Sequence, residues 1–250
     1  MDEFTPLRDP DAFTLTRLKA EAWLRARRGQ TWRSTAPHPV LAEALGDFAR
    51  DRSDIHDHLP TIFLEAVRAR PKLIVELGTR GGLSTRALLA AAEVADAHML
   101  SVDIEDCAGV TLPERMRPRW TFARSDDVAF AGERFAAFCA DRGITAQAEA
   151  IFVDTSHRYD HTKAELAAWL PRLAPGGVMM FHDTNLRRWF RRLDGRIALG
   201  WNNRRGVIRA IEEQLGRDWD EQSQFVDVAA GFLVRHAPWC NGFTVLQRTD

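Results

Sequence analysis

Two short stretches end in side chains that can hold a cation or move a proton. Residues 151–157 read IFVDTSH, and residues 178–185 read VMMFHDTN. Each is an apolar run followed by polar groups, the pattern of a buried strand delivering its last residues to a surface. Asp154 ends the first run and His182-Asp183 ends the second. If the two strands are neighbours, they lie ~4.8 Å apart, and their terminal side chains can share one ion. Carboxylates suit Mg²⁺, Mn²⁺ or Ca²⁺, while an imidazole moves the preference toward Mn²⁺, Fe²⁺ or Zn²⁺. His157 follows Asp154 by three residues and can take a proton near neutral pH. The plainer readings are a helix N-cap for Asp154 and a packed, hydrogen-bonded His182. Four such groups at two strand ends favour a metal site over coincidence.

A second feature is the loop Glu76 to Ser84, ELGTRGGLS, between a predicted strand and a predicted helix. Small residues there let the backbone turn tightly and approach a ligand, and a helix N-terminus favours an anionic group. The dinucleotide pattern GxGxxG fails, because Arg80 and Leu83 stand where glycines are needed. A nicotinamide cofactor is therefore not expected, and a smaller carboxylate-bearing ligand fits better. Glu76 at the strand end can receive a cation. Asp103 ends the next strand, where a carboxylate can accept both hydroxyls of a ribose. Ser125-Asp126 ends the third, within reach of an adenine edge. An ordinary strand–helix turn would explain the loop alone; the acid at the next strand end points to a ligand.

These residues need a scaffold that gathers strand ends. Leu73–Val75, His98–Val102, Trp120–Ala123, Ala150–Val153 and Val178–Phe181 read as five short strands, with Pro175–Gly177 as a turn. Helical patterns alternate with them, including Leu83 to Ala91, Phe130 to Phe138 and Lys163 to Leu173. The expected fold is α/β: a doubly wound, Rossmann-like, mostly parallel sheet with helices on both faces. One more helix covers Val207 to Leu215. Phe225 to Arg235 and Gly242 to Gln247 are expected to form an antiparallel C-terminal edge. Residues 1–70 read as a helical N-terminal extension, with helical spacing over Phe13 to Leu24 and Leu41 to Phe48 and a loop over Gln30 to Pro39. Residues 71–250 form the ligand-binding domain.

Composition excludes several classes. The 250 residues are 45% hydrophobic, too apolar for a disordered chain. Thirty-four basic residues against 35 acidic ones leave a net charge of -1, with no global drive toward nucleic acid or anionic membrane. Three scattered cysteines make neither a disulfide framework nor a CxxC zinc site. No apolar run is long enough for a membrane span, and the acidic start Met1-Asp2-Glu3-Phe4 lacks a secretory pattern. A cytoplasmic protein is expected. There is no nucleophile elbow and no P-loop.

ELGTRGGLS resembles the first motif of class I S-adenosylmethionine-dependent methyltransferases, particularly the E-L-G-x-x-x-G-x-S form of the catechol O-methyltransferase type. The stretch DTSHRYDHTKAELAAWLPRLAPGG, Asp154 to Gly177, resembles metal-dependent O-methyltransferases of the macrocin and cephalosporin-biosynthesis type. The resemblance covers roughly residues 72–185. It implies S-adenosylmethionine as cofactor, with Glu76, Gly78, Gly82 and Ser84 toward its methionine part, Asp103 on the ribose, and Ser125 and Asp126 beside the adenine. It implies a divalent metal, Mg²⁺ or Mn²⁺, on Asp154, His182 and Asp183, and His157 as general base. The sequence departs from the pattern at Thr79 and Arg80, at His182 where an acid is usual, and at Thr184 where the catechol type has Asn. The implied activity is methyl transfer to a hydroxyl oxygen of a small molecule, such as a natural-product intermediate. Self-association is left open.

Two segments stay outside this scheme. Asp54, His56, Asp57 and His58 are expected to cap and line a pocket rather than hold a second metal. Arg187, Arg188, Arg191, Arg192, Arg196, Arg204, Arg205 and Arg209 interleave with Trp189, Phe190 and Trp201. They could face solvent, hold an anionic group of a small substrate, or bind RNA through phosphates and stacked bases. An RNA methyltransferase and a non-catalytic adenosylmethionine-binding protein are the rival readings. Salt-dependent RNA retention would mark the first, and cofactor binding without turnover the second.

Overall fold

Leu73–Leu77 (β1) is buried along its whole length, as a strand covered on both faces must be. Its alternate side chains enter different cores. Ile74 joins one cluster, while Leu73, Val75 and Leu77 join the other. The structure is a computed structural model and describes residues 38–46 and 53–250. The helical spacing over Phe13 to Leu24, Phe48 and most of the Gln30–Pro39 loop lie outside the described residues.

The elements begin with α1 (Pro39–Leu45), a 3-10 turn (His56–His58) and α2 (Leu59–Arg68). Then come β1, α3 (Leu83–Ala95), β2 (His98–Asp103), β3 (Trp120–Arg124), α4 (Asp127–Glu133) and α5 (Phe135–Ala140). β4 (Ala148–Val153), α6 (Tyr159–Trp169) and β5 (Leu173–His182) complete the alternating part. A hairpin of β6 (Trp189–Arg191) and β7 (Ile197–Leu199), α7 (Gly206–Leu215), β8 (Phe225–Ala229), β9 (Phe232–Ala237) and β10 (Phe243–Arg248) follow.

Eight strands form one sheet in the order β3-β2-β1-β4-β5-β10-β9-β8. β1 to β5 pair in parallel, and β10 runs antiparallel to both β5 and β9. This is the expected doubly wound sheet with its antiparallel edge. The strand order reverses between β1 and β4, so the crevice outside their carboxyl ends is the place for a ligand. α1, α2 and α3 contribute to the core on one face, and α4 to α7 to the other.

Four local expectations change. Pro175–Gly177 is not a turn. It lies inside β5, where Gly176 has φ +70° and the register against β4 shifts between Ala148 and Ala150. The bulge absorbs the glycines without ending the strand. The helix expected from Lys163 starts at Tyr159 and stops at Trp169, because Leu173 already belongs to β5. The helix over Phe130 to Phe138 breaks at Arg134 into α4 and α5. Phe225 to Arg235 is two strands, folded at Ala230-Gly231, both with positive φ, the geometry of a tight hairpin turn.

Gly78 is where two backbones approach most closely at the sheet's carboxyl end. Its φ is +88°, and a Cβ there would lie 2.3 Å from the Asp154 carbonyl oxygen. Gly78→Ala therefore meets both an unfavourable backbone angle and a collision with backbone that cannot rotate away. Urea denaturation should show a loss of more than about 1 kcal/mol. An alanine variant as stable as wild type would show that β1 and β4 can spread at their ends.

Candidate active site

Two groups of side chains converge on the carboxyl end of the sheet. The first surrounds a cleft of about 490 Å³, lined by Gly78, Asp103, Ser125, Asp126 and Asp154, with Ile104, Arg158 and His161 around it. Asp103 closes the glycine loop: its Oδ2 accepts from the amides of Thr79 at 2.7 Å and Arg80 at 3.2 Å, and its Oδ1 from Glu105 at 2.9 Å. The same carboxylate lines the cleft, and Oδ1, which accepts from Glu105, has a second lone pair to offer. Asp126 caps α4, accepting from the Ala129 amide at 2.8 Å.

Glu76, Gly82 and Ser84, expected against the ligand, do not line this cleft. Glu76 is fully buried and accepts from the hydroxyls of Ser84 at 2.7 Å, Thr85 at 2.9 Å and Ser101 at 2.6 Å. Burial pushes its carboxyl up to about 7, although these three hydroxyls pull the other way. Through these bonds Glu76 ties β1, β2 and the first turn of α3 together. Gly82 stands before α3 with φ +78°, and a Cβ would lie 2.1 Å from Val110.

The second group is Asp154, His157, His182 and Asp183, all buried. His182 Nδ1 is 3.1 Å from Asp154 Oδ1 and 3.5 Å from Asp183 Oδ1. His157 Nε2 is 3.0 Å from Asp183 Oδ2, and its Nδ1 is 3.9 Å from Asp154 Oδ1. Neighbouring strand ends thus bring together all four residues singled out in the sequence.

The tautomer of His182 decides what the group can hold. Its Nε2 lies 3.2 Å from the Cys240 carbonyl, which can only accept, so Nε2 carries a proton. In the neutral ring, the Nδ1 lone pair then faces two carboxylates. Among the described residues, Asp183 Oδ1 has no hydrogen-bond partner. Such an arrangement needs positive charge, either a second proton on His182 or a cation. Burial alone would lower His182, but Asp183 and Asp154 prevail and raise it. Asp183, despite the opposing effect of burial, is held low by His182 and His157. For His157, burial is likewise outweighed by the hydrogen bond to Asp183, and its affinity for a proton rises. Ligand atoms of Asp154, His182 and Asp183 all lie within 4.8 Å of one another. A backbone carbonyl fixing the far nitrogen is the usual support of a metal-bound histidine. The residues fit a divalent ion.

Other parts of the site had no short-range signal. His58 stacks on Phe243 at 4.9 Å and meets the His182 ring edge-on at 5.7 Å. Burial, then the neighbouring His182, lowers it to about 3, so it is neutral. Asp57 accepts from Cys240 Sγ at 2.9 Å. His56 and Asp54 belong to the same packing segment. Trp201 stands 6.1 Å from the His157 ring, and Asn203 Nδ2 donates to the Asp183 carbonyl at 3.2 Å. A further cluster, Asp127, His161 and Glu165, lies at the cleft wall, with His161 Nε2 3.1 Å from Asp127.

Residues 75–184 match the family model described as a methyltransferase domain. No curated protein matches the sequence. Among solved structures the chain is similar to a methyltransferase from Geobacter sulfurreducens, 16% identical, covering 85% of this chain and 90% of that one, with TM-score 0.52. It is also similar to an O-methyltransferase from Bacillus cereus in complex with SAH: 15% identity, 84% and 91% coverage, TM-score 0.50. CalS11, a TDP-rhamnose 3'-O-methyltransferase of calicheamicin biosynthesis, gives 17% identity, 100% coverage of both chains and TM-score 0.50.

His161 offers a test of the cleft wall. The Asp127 hydrogen bond, the largest influence, raises it to about 9. A raised histidine stabilises the fold fully below its unfolded value near 6.5 and loses that contribution as pH rises through about 9. The gap in unfolding midpoint between wild type and His161→Gln should be widest at pH 6.5 and shrink toward pH 9. A gap constant across that window would show that His161 is not charged in the fold.

The family match and the sheet order agree on the fold: residues 75–184 match a methyltransferase-domain model and lie within a doubly wound, Rossmann-like α/β sheet.

Proposed function

We propose that the protein moves a methyl group to a hydroxyl oxygen of a small molecule, with a divalent metal held by Asp154, His182 and Asp183. The observation that carries this reading is the placement of Asp154. It lines the cofactor cleft and also sits within the buried His182–Asp183 group, so donor and acceptor sites meet at one residue. The similarity to O-methyltransferases supports the choice of oxygen as acceptor.

Gly78, Asp103, Ser125 and Asp126 would hold the cofactor, while Glu76, Gly82 and Ser84 shape the loop that receives it. S-adenosylmethionine, when bound, supplies an electrophilic methyl on a sulfonium. A divalent ion, when bound, polarises a hydroxyl and stabilises the developing oxyanion. His157 donates from Nε2 to Asp183, which leaves Nδ1 to take the hydroxyl proton. The buried carboxylate orients this ring and strengthens it as a base, as in other Asp–His pairs. Trp201, against the His157 ring, helps to exclude water. Most of the acceleration would come from orientation of the two reactants.

Asp103→Ala should weaken binding of the cofactor by about 1–3 kcal/mol in calorimetry, because the lost acceptor leaves its partners unpaired. Unchanged affinity would remove Asp103 from the cofactor site.

Chelation should suppress turnover, and Mg²⁺ or Mn²⁺ should restore it. Asp154→Ala or Asp183→Ala should abolish Mn²⁺ binding, read by titration of the paramagnetic ion, while Asp183→Ala retains cofactor binding. Full activity in chelator would leave His182 as a histidinium between two carboxylates and end the metal reading.

His157→Ala should slow methyl transfer by roughly 10²–10⁴-fold without loss of cofactor binding. Because the folded histidine holds its proton more tightly than a free one, the wild-type rate should fall as pH drops, and the variant should lack that limb. A variant with wild-type rate and pH profile would assign the base elsewhere.

A further inference from the structure

Beyond Asp183 the chain opens a second cavity, of about 600 Å³, that shares no lining residue with the first cleft. Its walls are two segments. Thr184 to Trp189 leave the end of β5, and Asn202, Arg204 and Arg205 precede α7. Four arginines, Arg187, Arg188, Arg204 and Arg205, line it against a single acid, Glu221. This local excess of positive charge stands in a chain whose net charge is -1.

Glu221 is buried and holds two of the guanidiniums in place. Arg187 donates to its Oε1 at 3.0 Å, and Arg205 to its Oε2 at 3.0 Å. Arg205 is further fixed by Glu212 at 2.8 Å. Each guanidinium has five N–H donors, more than these bonds consume. Arg188 and Arg204 are exposed, and among the described residues their side chains have no hydrogen bond or ion pair. Some other arginines of this chain pair with carboxylates, as Arg115 does with Glu43 and Glu93, and Arg235 with Glu65.

The cavity adjoins the reacting groups. Thr184 follows the proposed ligand Asp183, Asn203 binds the Asp183 carbonyl, and the Trp201 ring stands 6.1 Å from that of His157. Trp189 offers an exposed aromatic face at the rim. Arg204 and Arg205 both hold positive φ, a conformation that non-glycine residues keep only where the surroundings enforce it.

Resting on the methyl-transfer reading, we propose that the acceptor carries a phosphoryl group, bound by these arginines while its hydroxyl reaches His157. A carboxylate is satisfied by one bidentate guanidinium. Guanidiniums arriving from two separate chain segments match a dianion with three outward oxygens. The cavity suits a small phosphate ester, with an apolar or ring portion against Trp189.

The test is calorimetry on the full chain saturated with S-adenosylhomocysteine, titrated with phenyl phosphate, benzoate and phenol. Phenyl phosphate should bind, more weakly at high salt, and at least roughly tenfold tighter than the other two. The pair Arg188→Ala and Arg204→Ala should weaken it at least roughly tenfold and leave S-adenosylhomocysteine affinity unchanged. Trp189→Leu should weaken phenyl phosphate but not inorganic phosphate. Equal binding of benzoate or phenol overturns the proposal, as does an undiminished affinity in the double variant. Retention of single-stranded RNA through Arg188 and Arg204, without phenyl phosphate binding, overturns it in favour of a polynucleotide. If S-adenosylhomocysteine itself does not bind, the methyl-transfer reading fails; if it binds and phenyl phosphate does not, only the phosphoryl proposal fails.

Discussion

The closeness of Gly78 to the Asp154 backbone governs the site. Parallel pairing of β1 and β4 places Leu77 opposite Val153, and the chain leaves both strands at the same height. The Asp154 amide bonds the Leu77 carbonyl, and the Gly78 amide bonds that of Val102. These two bonds lock three strand ends into one rim. A side chain at position 78 would wedge that rim apart, and the cleft beside Asp103 and the Asp154 carboxylate would be disturbed together. Glu76, two residues earlier, closes the same rim from beneath through its hydroxyl partners.

Around this rim, strain and buried charge are concentrated. Ten described non-glycine residues have positive φ, and six of them, His157, Asp183, Arg204, Arg205, Cys240 and Asn241, lie in the buried His157–Asp183 group, in the loop before α7 or in the turn before β10. Such conformations persist when packing over-determines them. Here the enforcing contacts are visible. Gly206 fits against the His157 carbonyl, where a Cβ would lie 2.7 Å away, and the amide of Asn185 bonds the Asn241 carbonyl. The energy spent holding these residues is recovered as orientation of His157 and Asp183.

The electrostatics follow the same division. Two carboxylates and two imidazoles share a space with little water, so each protonation state depends on the others. His58 adds a neutral ring behind His182 and donates to the Trp239 carbonyl, and the Cys240 carbonyl is shared by both histidines. Cys240 therefore links the His56–His58 turn to the end of β5, through its carbonyl to both histidines and through its thiol to Asp57. No helix among the described residues is long and apolar enough to cross a membrane.

Much of this was legible in the residue order. Short apolar runs alternating with helical periodicity dictate a parallel sheet, because both faces must be covered, and a polar residue ending each run marks its exit to the rim. Asp103, Asp154, His182 and Asp183 were found by that rule alone. Local strength of pattern also misled: Pro175-Gly176-Gly177 signals a turn, but pairing with β4 carries the strand through it. What the tertiary structure decided are relations between distant segments. Glu76 lies next to the expected ligand in sequence yet turns inward, because β2 and α3 bring three hydroxyls to it. His58 meets His182 across more than a hundred residues and Cys240 meets it across 58, and Glu221 selects which arginines are held. Sequence periodicity reports which face a side chain occupies. It carries no information on which partner waits there, since that depends on the order and register in which strands assemble.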